Sequence, residues 1–187
     1  MASETEDGRL RVLSVCIGNI CRSPVSEFLI RHELGDRVRS TSAGTRALVG
    51  EPVHPPMAAR LDELGVAHEG GARQVTESVL READLILTMT RELRSRVVEL
   101  APATVRRSFT LAEFAAIVTA APRPAVAPSG RAELVPIIAA AAAQRSVAAG
   151  RGAELDIADP YGRSDADYAL AFDEIRRCVA AIRAAWS

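Results

Sequence analysis

The sequence lacks lysine altogether, and it lacks an excess of charge of either sign. All 23 residues counted as Lys and Arg are arginines, and with 24 acidic residues the formal net charge is −1. We attribute the missing lysine to a coding bias towards GC-rich codons. The near-neutral charge argues against a protein that binds nucleic acid or a membrane surface.

Long hydrophobic runs and abundant cysteines are also missing. The alanine-rich run at residues 137–143 is too short, and too closely flanked by charge, to span a bilayer. Residues 1–8 are acidic and polar, unlike a signal peptide, and are expected to form a disordered tail. The chain has only three cysteines, which favours a reducing compartment. We therefore expect a soluble cytoplasmic protein without membrane insertion.

Residues 9–187 have the length of one domain, and 48% of the chain is hydrophobic, enough for a sizeable core. Strand-like and helix-like segments alternate, which is typical of parallel α/β folds. We predict an α/β fold: a single-domain, doubly wound, four-stranded parallel sheet flanked by helices, flavodoxin-like. The predicted strands are Leu10–Val15, Val38–Ser42, Asp84–Met89 and Thr104–Phe109, and the predicted helices are Pro24–Leu34, Pro55–Leu64, Arg91–Leu100 and Ser164–Ala185.

The most informative motif joins the first predicted strand to the first predicted helix. It reads Cys16-Ile17-Gly18-Asn19-Ile20-Cys21-Arg22-Ser23-Pro24. Gly18 and Asn19 tolerate the positive φ angles of a tight loop, and Ser23 before a proline matches a helix N-cap. The loop amides, the helix N-terminus and the Arg22 guanidinium would bind a phosphate and favour a Cys16 thiolate, which Ser23 would hydrogen-bond. The motif therefore predicts a phosphate cradle that contains a sulfur nucleophile.

A second motif, Asp159-Pro160-Tyr161-Gly162, places a carboxylate on a turn far downstream. Alone it would be an ordinary turn signal, but beside a cysteine nucleophile it supplies a general acid. Cys16 would attack phosphorus, Arg22 and the loop amides would hold the phosphate oxygens, and Asp159 would protonate the leaving group. Asp159 would then activate the water that hydrolyses the phosphocysteine. These donors neutralise the phosphate themselves, so no metal or other cofactor is expected.

The two motifs together resemble those of the low-molecular-weight protein tyrosine phosphatases. That family carries Cys-x-Gly-Asn-x-Cys-Arg-Ser-Pro near its N-terminus and Asp-Pro-Tyr or Asp-Pro-Phe near its C-terminus. Further similarity lies in Thr41–Thr45, Ala72–Gln74 and Ala83–Met89. The resemblance implies that Asn19 locks the loop in a left-handed conformation with help from Ser42. It also suggests a protective disulfide between Cys16 and Cys21, to which a simple packed thiol at Cys21 is an equal alternative.

Residues 111–158 have no counterpart in the family pattern. We predict a helix at Leu111–Thr119, a loop at Ala120–Gly130 and a helix near Glu133–Ala149. This helical insertion precedes the Asp159 turn directly. It either packs beside the pocket and shapes access to it, or forms a hairpin remote from the site. Cys178, in the last predicted helix, lies beside an apolar stripe and is predicted to be a core residue.

The residues around the cradle bear on the substrate. In the family, an aliphatic residue before the second cysteine marks tyrosine phosphatases and a threonine marks protein-arginine phosphatases; this chain has Ile20. Ile17 and Tyr161 would complete an apolar slot, with Glu51 at its rim, where eukaryotic relatives have tryptophan; Glu51 would disfavour acidic peptides. The predicted substrate-binding residues are Ile17, Gly18, Asn19, Ile20, Cys21, Ser23, Glu51 and Tyr161.

We therefore expect a monomeric protein tyrosine phosphatase whose partners are a tyrosine-phosphorylated protein and a cognate tyrosine kinase. Other substrates remain open, namely a small phosphomonoester or protein phosphoarginine. An arsenate reductase would need a relay of further cysteines, and Ile86–Met89 contains none. A phosphate-binding adaptor without turnover would have no use for Asp159.

Overall fold

The computed structural model of the protein describes residues 8–145 and 155–187. Residues 1–7 of the predicted tail, and the end of the helix predicted near Glu133–Ala149, lie outside these ranges. Four strands form one parallel sheet in the order β2-β1-β3-β4. Their bounds are β1 Leu10–Cys16, β2 Val38–Gly44, β3 Leu85–Thr88 and β4 Ser108–Thr110. The predicted α/β fold with a four-stranded parallel sheet is confirmed.

Helices cover both faces of this sheet because its central strands bury side chains on both sides. Leu10 and Val12 of β1 join one apolar core, whereas Leu13 and Val15 join another. This alternation follows from the two-residue period of a strand. The bounds of the helices are α1 Arg22–Leu34, α2 Pro55–Glu63, α3 Glu77–Glu82, α4 Arg91–Leu100, α5 Leu111–Ala120, α6 Arg131–Ala143 and α7 Asp165–Ala185.

The larger core lies between the sheet and the helices α1, α5 and α7, and α1 and α5 both pack on α7. The smaller core contains residues of α3 and α4 on the opposite face. None of the helices within the described ranges is long and apolar enough to cross a membrane.

Several predicted bounds were wrong. The strand predicted from Thr104 begins only at Ser108, because Pro102–Arg107 forms a 3-10 helix in which the Thr104 hydroxyl donates to Ala101 O. The short helix α3 was missed altogether. Helix α1 begins at Arg22 rather than Pro24, and Ser23 is not its N-cap. Helix α7 begins one residue after Ser164, whose hydroxyl accepts from Asp167 N and caps the helix.

The inserted segment meets the sheet at two different edges. Arg131, at the start of α6, donates from its backbone to Gly8 O and from its side chain to Asp84, so it lies beside the amino ends of β1 and β3. Ile157 instead donates to Met89 O at the carboxyl end of β3. Cys16 also lies at the carboxyl edge, so the start of the insertion after β4 and its end near Ile157 are at the cysteine's edge of the sheet, whereas the start of α6 is at the opposite edge.

Candidate active site

Cys16 ends β1 at the carboxyl edge of the sheet, where the strand order reverses between β1 and β3. Ligands in doubly wound folds bind at this position. The side chain is 2% exposed, and its Sγ accepts hydrogen bonds from Asn19 N at 3.2 Å and Ser23 Oγ at 2.9 Å. Both donors stabilise negative charge on the sulfur.

Arg22 is the first residue of α1, and its buried guanidinium reaches the C-terminal part of the chain. Nη1 donates to Ile157 O at 2.9 Å, and Nη2 lies 2.6 Å from Oδ2 of Asp159. Its Nε has no acceptor anywhere in the described ranges. The amides of Gly18 and Ile20 also find no acceptor in that part of the chain. These donors are therefore available for an oxyanion in front of the sulfur.

A cavity of about 170 Å³ brings the two sequence motifs together. It is lined by Cys16, Ile17, Gly18, Ile20, Cys21, Arg22, Arg46, Leu48, Asp159 and Tyr161. The three predicted catalytic side chains thus meet in one place, and their catalytic roles stay a prediction. None of the lining residues comes from 111–145 or 155–158, so the described part of the insertion does not wall the pocket.

The segment before Asp159 is tied to the end of β3. Ile157 N donates to Met89 O at 2.8 Å, and Asp156 accepts from the backbone N of Arg91 at 2.7 Å and from its guanidinium. Asp159 Oδ1 then accepts from Tyr161 N at 3.3 Å, which closes a local turn. These contacts fix the carboxylate over the cavity, with 38% of its side chain exposed.

Asn19 organises the back of the phosphate loop. It has a φ of 57°, its Nδ2 donates to Ser23 Oγ at 2.9 Å and Ser42 Oγ at 2.8 Å, and its Oδ1 accepts from Arg73 N at 2.7 Å. The Ser42 hydroxyl in turn donates a hydrogen bond to Glu27 Oε2 at 2.6 Å and so extends this network.

The network bears on the predictions for Gly18, Asn19 and Ser23. They lie behind the sulfur and are absent from the cavity lining, so the structure does not support substrate contact by either residue. The positive φ falls on Asn19, whereas Gly18 is not among the positive-φ residues of the described chain.

Ile17 and Tyr161 form exposed apolar walls of the cavity, as the sequence suggested. Tyr161 is held by His54, whose ring centroid lies 5.4 Å from that of Tyr161 in an edge contact and 5.4 Å from that of Tyr168 in a stacked one. His54 N also donates to Ile20 O at 2.7 Å. Sequence reasoning missed this positioning histidine, because no motif links it to the Asp159 turn.

Glu51 does not lie at the pocket rim, which corrects the predicted acidic entrance. It lines a neighbouring cavity behind the loop, together with Glu27 and Glu69. Residues 45–48 follow the phosphate loop instead, through hydrogen bonds from Arg46 N to Ile17 O at 2.9 Å and from Leu48 N to Gly18 O at 3.0 Å. Arg46 and Leu48 therefore line the cavity, whereas Glu51, whose backbone N donates to Leu48 O at 3.0 Å, is not among its lining residues.

All three cysteines are free thiols. Burial raises the pKa of Cys21 to about 12, with further contributions from Cys16 and Asp159 nearby, so Cys21 stays protonated at neutral pH. Burial likewise raises the pKa of Cys178 to about 11. Cys178 packs against the larger core, where the sequence placed it.

Comparisons with known proteins agree with the geometry. Residues 11–122 match the sequence model of a family described as low molecular weight phosphotyrosine protein phosphatase. The low molecular weight protein-tyrosine-phosphatase Wzb of Escherichia coli (strain K12) is 40% identical over 92 residues, which cover 49% of this chain and 62% of Wzb. The probable phosphatase EpsP of Ralstonia nicotianae is 38% identical over 104 residues, covering 55% of this chain and 71% of EpsP. The match to Wzb thus spans less than two thirds of that protein.

Solved structures cover nearly the whole chain. The tyrosine phosphatase AmsI of Erwinia amylovora superimposes with a TM-score of 0.69 at 24% identity, covering 95% of this chain and 93% of AmsI. The arginine phosphatase YwlE of Geobacillus stearothermophilus also superimposes with a TM-score of 0.69 at 24% identity, covering 94% of this chain and 91% of YwlE. At these identities the likeness establishes the fold alone.

Proposed function

The chain belongs to the low molecular weight phosphotyrosine protein phosphatase family, and from this we propose that it hydrolyses phosphotyrosine in proteins through a phosphocysteine intermediate. One observation carries the proposal. A buried sulfur that accepts two hydrogen bonds shares a cavity with a buried guanidinium and a half-exposed carboxylate. These are a nucleophile, an oxyanion clamp and a proton donor.

The first step transfers the phosphoryl group to sulfur. The Cys16 thiolate forms an S–P bond as the P–O bond to the tyrosyl oxygen breaks, while Arg22 and the loop amides bind the phosphate oxygens. The departing phenolate, whose conjugate acid has a pKa of about 10, takes a proton from Asp159, which must be in its carboxylic acid form in the substrate complex and becomes a carboxylate in this step. Substrate binding must first separate Arg22 from Asp159, because the phosphate and the carboxylate compete for the same guanidinium.

The second step hydrolyses the phosphocysteine and regenerates the Cys16 thiolate. The Asp159 carboxylate takes a proton from a water molecule as the water oxygen attacks phosphorus and the S–P bond breaks. Inorganic phosphate leaves, and Cys16 is again a thiolate with Ser23 Oγ at 2.9 Å to stabilise it.

Three side chains at the cavity support an aromatic substrate. Ile17 and Tyr161 offer exposed apolar surface on its walls, and Ile20 lines its buried part. A flat ring packs well between such groups, whereas the guanidinium of phosphoarginine would lose water against Ile17 and Ile20, whose side chains offer it no hydrogen-bond acceptor.

A substrate panel tests the proposal. The purified protein should hydrolyse a phosphotyrosyl peptide with a higher kcat/KM than matched phosphoarginyl and phosphoseryl peptides or a small alkyl phosphate. Cys16→Ser should abolish turnover and Asp159→Ala should slow it by about 10²–10⁴-fold, whereas the control Cys178→Ser should retain it. A preference for phosphoarginine would refute the assignment of substrate, and no turnover of any ester would favour a binding protein. Thiol consumption that depends on arsenate would indicate a reductase.

A further inference from the structure

Arg46 places a second arginine on the cavity that contains Arg22. Its backbone is fixed against the phosphate loop by the hydrogen bond from Arg46 N to Ile17 O. Its side chain is exposed and lines the cavity. No residue of the described ranges forms an ion pair or side-chain hydrogen bond with its guanidinium. Arg46 is therefore a cation at the entrance that residues 8–145 and 155–187 do not neutralise.

The charged groups of the cavity are unevenly placed. Arg22, Asp159 and the proposed Cys16 thiolate lie together, whereas Arg46 lies apart from them at the mouth. Asp159 lies 2.6 Å from Arg22, which is buried, so these two charges are paired. The carboxylate of Glu51, expected here from the sequence, lines a different cavity. Within the described ranges, Arg46 therefore stands at the rim without a negative partner.

Arg22 and Arg46 differ in what they can bind. Arg22 is buried beside Cys16 and faces the phosphoryl group that reacts. Arg46 is exposed at the mouth, next to Leu48, whose side chain is 44% exposed. A residue adjacent to a bound phosphotyrosine would pass over this mouth, because neighbouring Cα atoms are about 3.8 Å apart.

We propose that Arg46 is a specificity-determining residue that selects phosphotyrosines flanked by an acidic side chain. The inference rests on the proposed function, and it reverses the expectation that Glu51 repels acidic peptides. A glutamate or aspartate next to the phosphotyrosine pairs with the Arg46 guanidinium, and its aliphatic stem contacts Leu48. An exposed ion pair of this kind is modest and sensitive to salt.

The test uses two phosphotyrosyl peptides that differ only in the residues flanking the phosphotyrosine, glutamate in one and glutamine in the other. For the wild-type protein at low salt, kcat/KM should be about two- to fivefold higher for the glutamate peptide. Arg46→Ala should bring this ratio close to one, Arg46→Glu should invert it, and Arg46→Lys should retain part of it. Raising the salt to about 1 M, where the Debye length is about 3 Å, should also abolish the preference.

Arg106→Glu provides the matched control. Arg106 is exposed just before β4, at the amino edge of the sheet and away from the cavity, and its replacement changes the net charge as much as Arg46→Glu does. It should leave both activity and the peptide ratio unchanged. An equal change in ratio for both variants would show a bulk charge effect and overturn the proposal.

The failure of this inference is distinguishable from the failure of the proposed function. If the wild-type protein hydrolyses neither peptide, the phosphatase assignment itself fails. If it hydrolyses both peptides and the ratio is the same in the wild type and in Arg46→Ala, the phosphatase assignment survives and the role of Arg46 is refuted. Because Arg46→Lys keeps the charge, loss of the ratio in all three Arg46 variants would point to loop distortion and would also overturn the proposal.

Discussion

Replacing Asp159 with asparagine should move two measured quantities in opposite directions. In the ligand-free protein the carboxylate lies 2.6 Å from Nη2 of Arg22 and so competes with phosphate for that guanidinium. Asparagine removes the competing negative charge and keeps the shape of the side chain. Asp159→Asn should therefore bind inorganic phosphate more tightly, yet hydrolyse phosphotyrosine more slowly because the proton donor is gone.

The burial of the two partners sets the size of the first effect. The side chain of Arg22 is 2% exposed and that of Asp159 is 38% exposed. Fully exposed ion pairs contribute about 0.2–1 kcal/mol, and breaking a buried pair costs about 3–5 kcal/mol. For this half-buried pair we expect about 1–2 kcal/mol, which corresponds to about 5- to 30-fold tighter phosphate binding. Loss of the general acid should lower kcat for phosphotyrosine by about 10²–10⁴-fold.

Calorimetric titration with inorganic phosphate at neutral pH measures the first quantity, and steady-state kinetics measure the second. The loss of kcat should be smaller for p-nitrophenyl phosphate, since a better leaving group needs its proton less. Asp36→Asn, an exposed carboxylate remote from the cavity, is the control and should change neither quantity. Unchanged or weaker phosphate binding by Asp159→Asn would refute competition for Arg22, and an unchanged kcat would refute the acid role.

Three further substitutions test contacts that stabilise the fold or support the site. Asp84 is buried, which opposes ionisation, but hydrogen bonds from Arg11 and Arg131 lower the pKa of its carboxyl from 3.8 to about 2. The folded protein therefore binds fewer protons than the unfolded chain in this range, and about 2 kcal/mol of stability should be lost as pH falls from about 4 to 2. Denaturant titrations should show Asp84→Asn less stable than wild type at pH 6 and equal to it near pH 2; an equal deficit at both pH values would contradict this. Asn19→Ala loses three hydrogen bonds and places alanine at a φ of 57°, so unfolding should require about 3–4 kcal/mol less; a change below about 1 kcal/mol would show that the network adds little to stability. Asp156→Asn weakens the link to Arg91 and should lower kcat about tenfold with little change in KM, whereas an unchanged kcat would mean that the Asp159 turn is held without it.

The sequence predicts well what local patterns determine. The buried, β-branched segment from Leu10 and the amphipathic run Arg91–Leu100 need no distant partner to be recognised, and the structure places both within a residue of the prediction. The phosphate loop is equally local, because its nucleophile and its arginine are only six residues apart. Asp159 was placed beside them by the family resemblance rather than by any pattern in the chain.

What the sequence did not predict depends on contacts between distant segments. The parallel pairing of Cys16 with Gly44 carries residues 45–48 alongside the phosphate loop, and this register puts Arg46 rather than Glu51 at the rim. The contacts of His54 with Tyr161 and Tyr168 also join segments more than 100 residues apart, so no local pattern predicts them. The short β4 is a separate case, since the first residues of the strand predicted from Thr104 belong to the 3-10 helix Pro102–Arg107 instead.

Rapid acid quenching during turnover of a phosphotyrosyl peptide, followed by mass spectrometry, would identify the residue that accepts the phosphoryl group. With p-nitrophenyl phosphate, whose leaving group needs the missing acid less, Asp159→Asn still lacks the base for the second step, so a single phosphoryl group should accumulate on the peptide that contains Cys16, at its sulfur. Two results would contradict a mechanism built on Cys16. One is a phosphoryl group on Cys21 or any other side chain, and the other is continued turnover with no phosphorylated protein in either the wild type or Asp159→Asn.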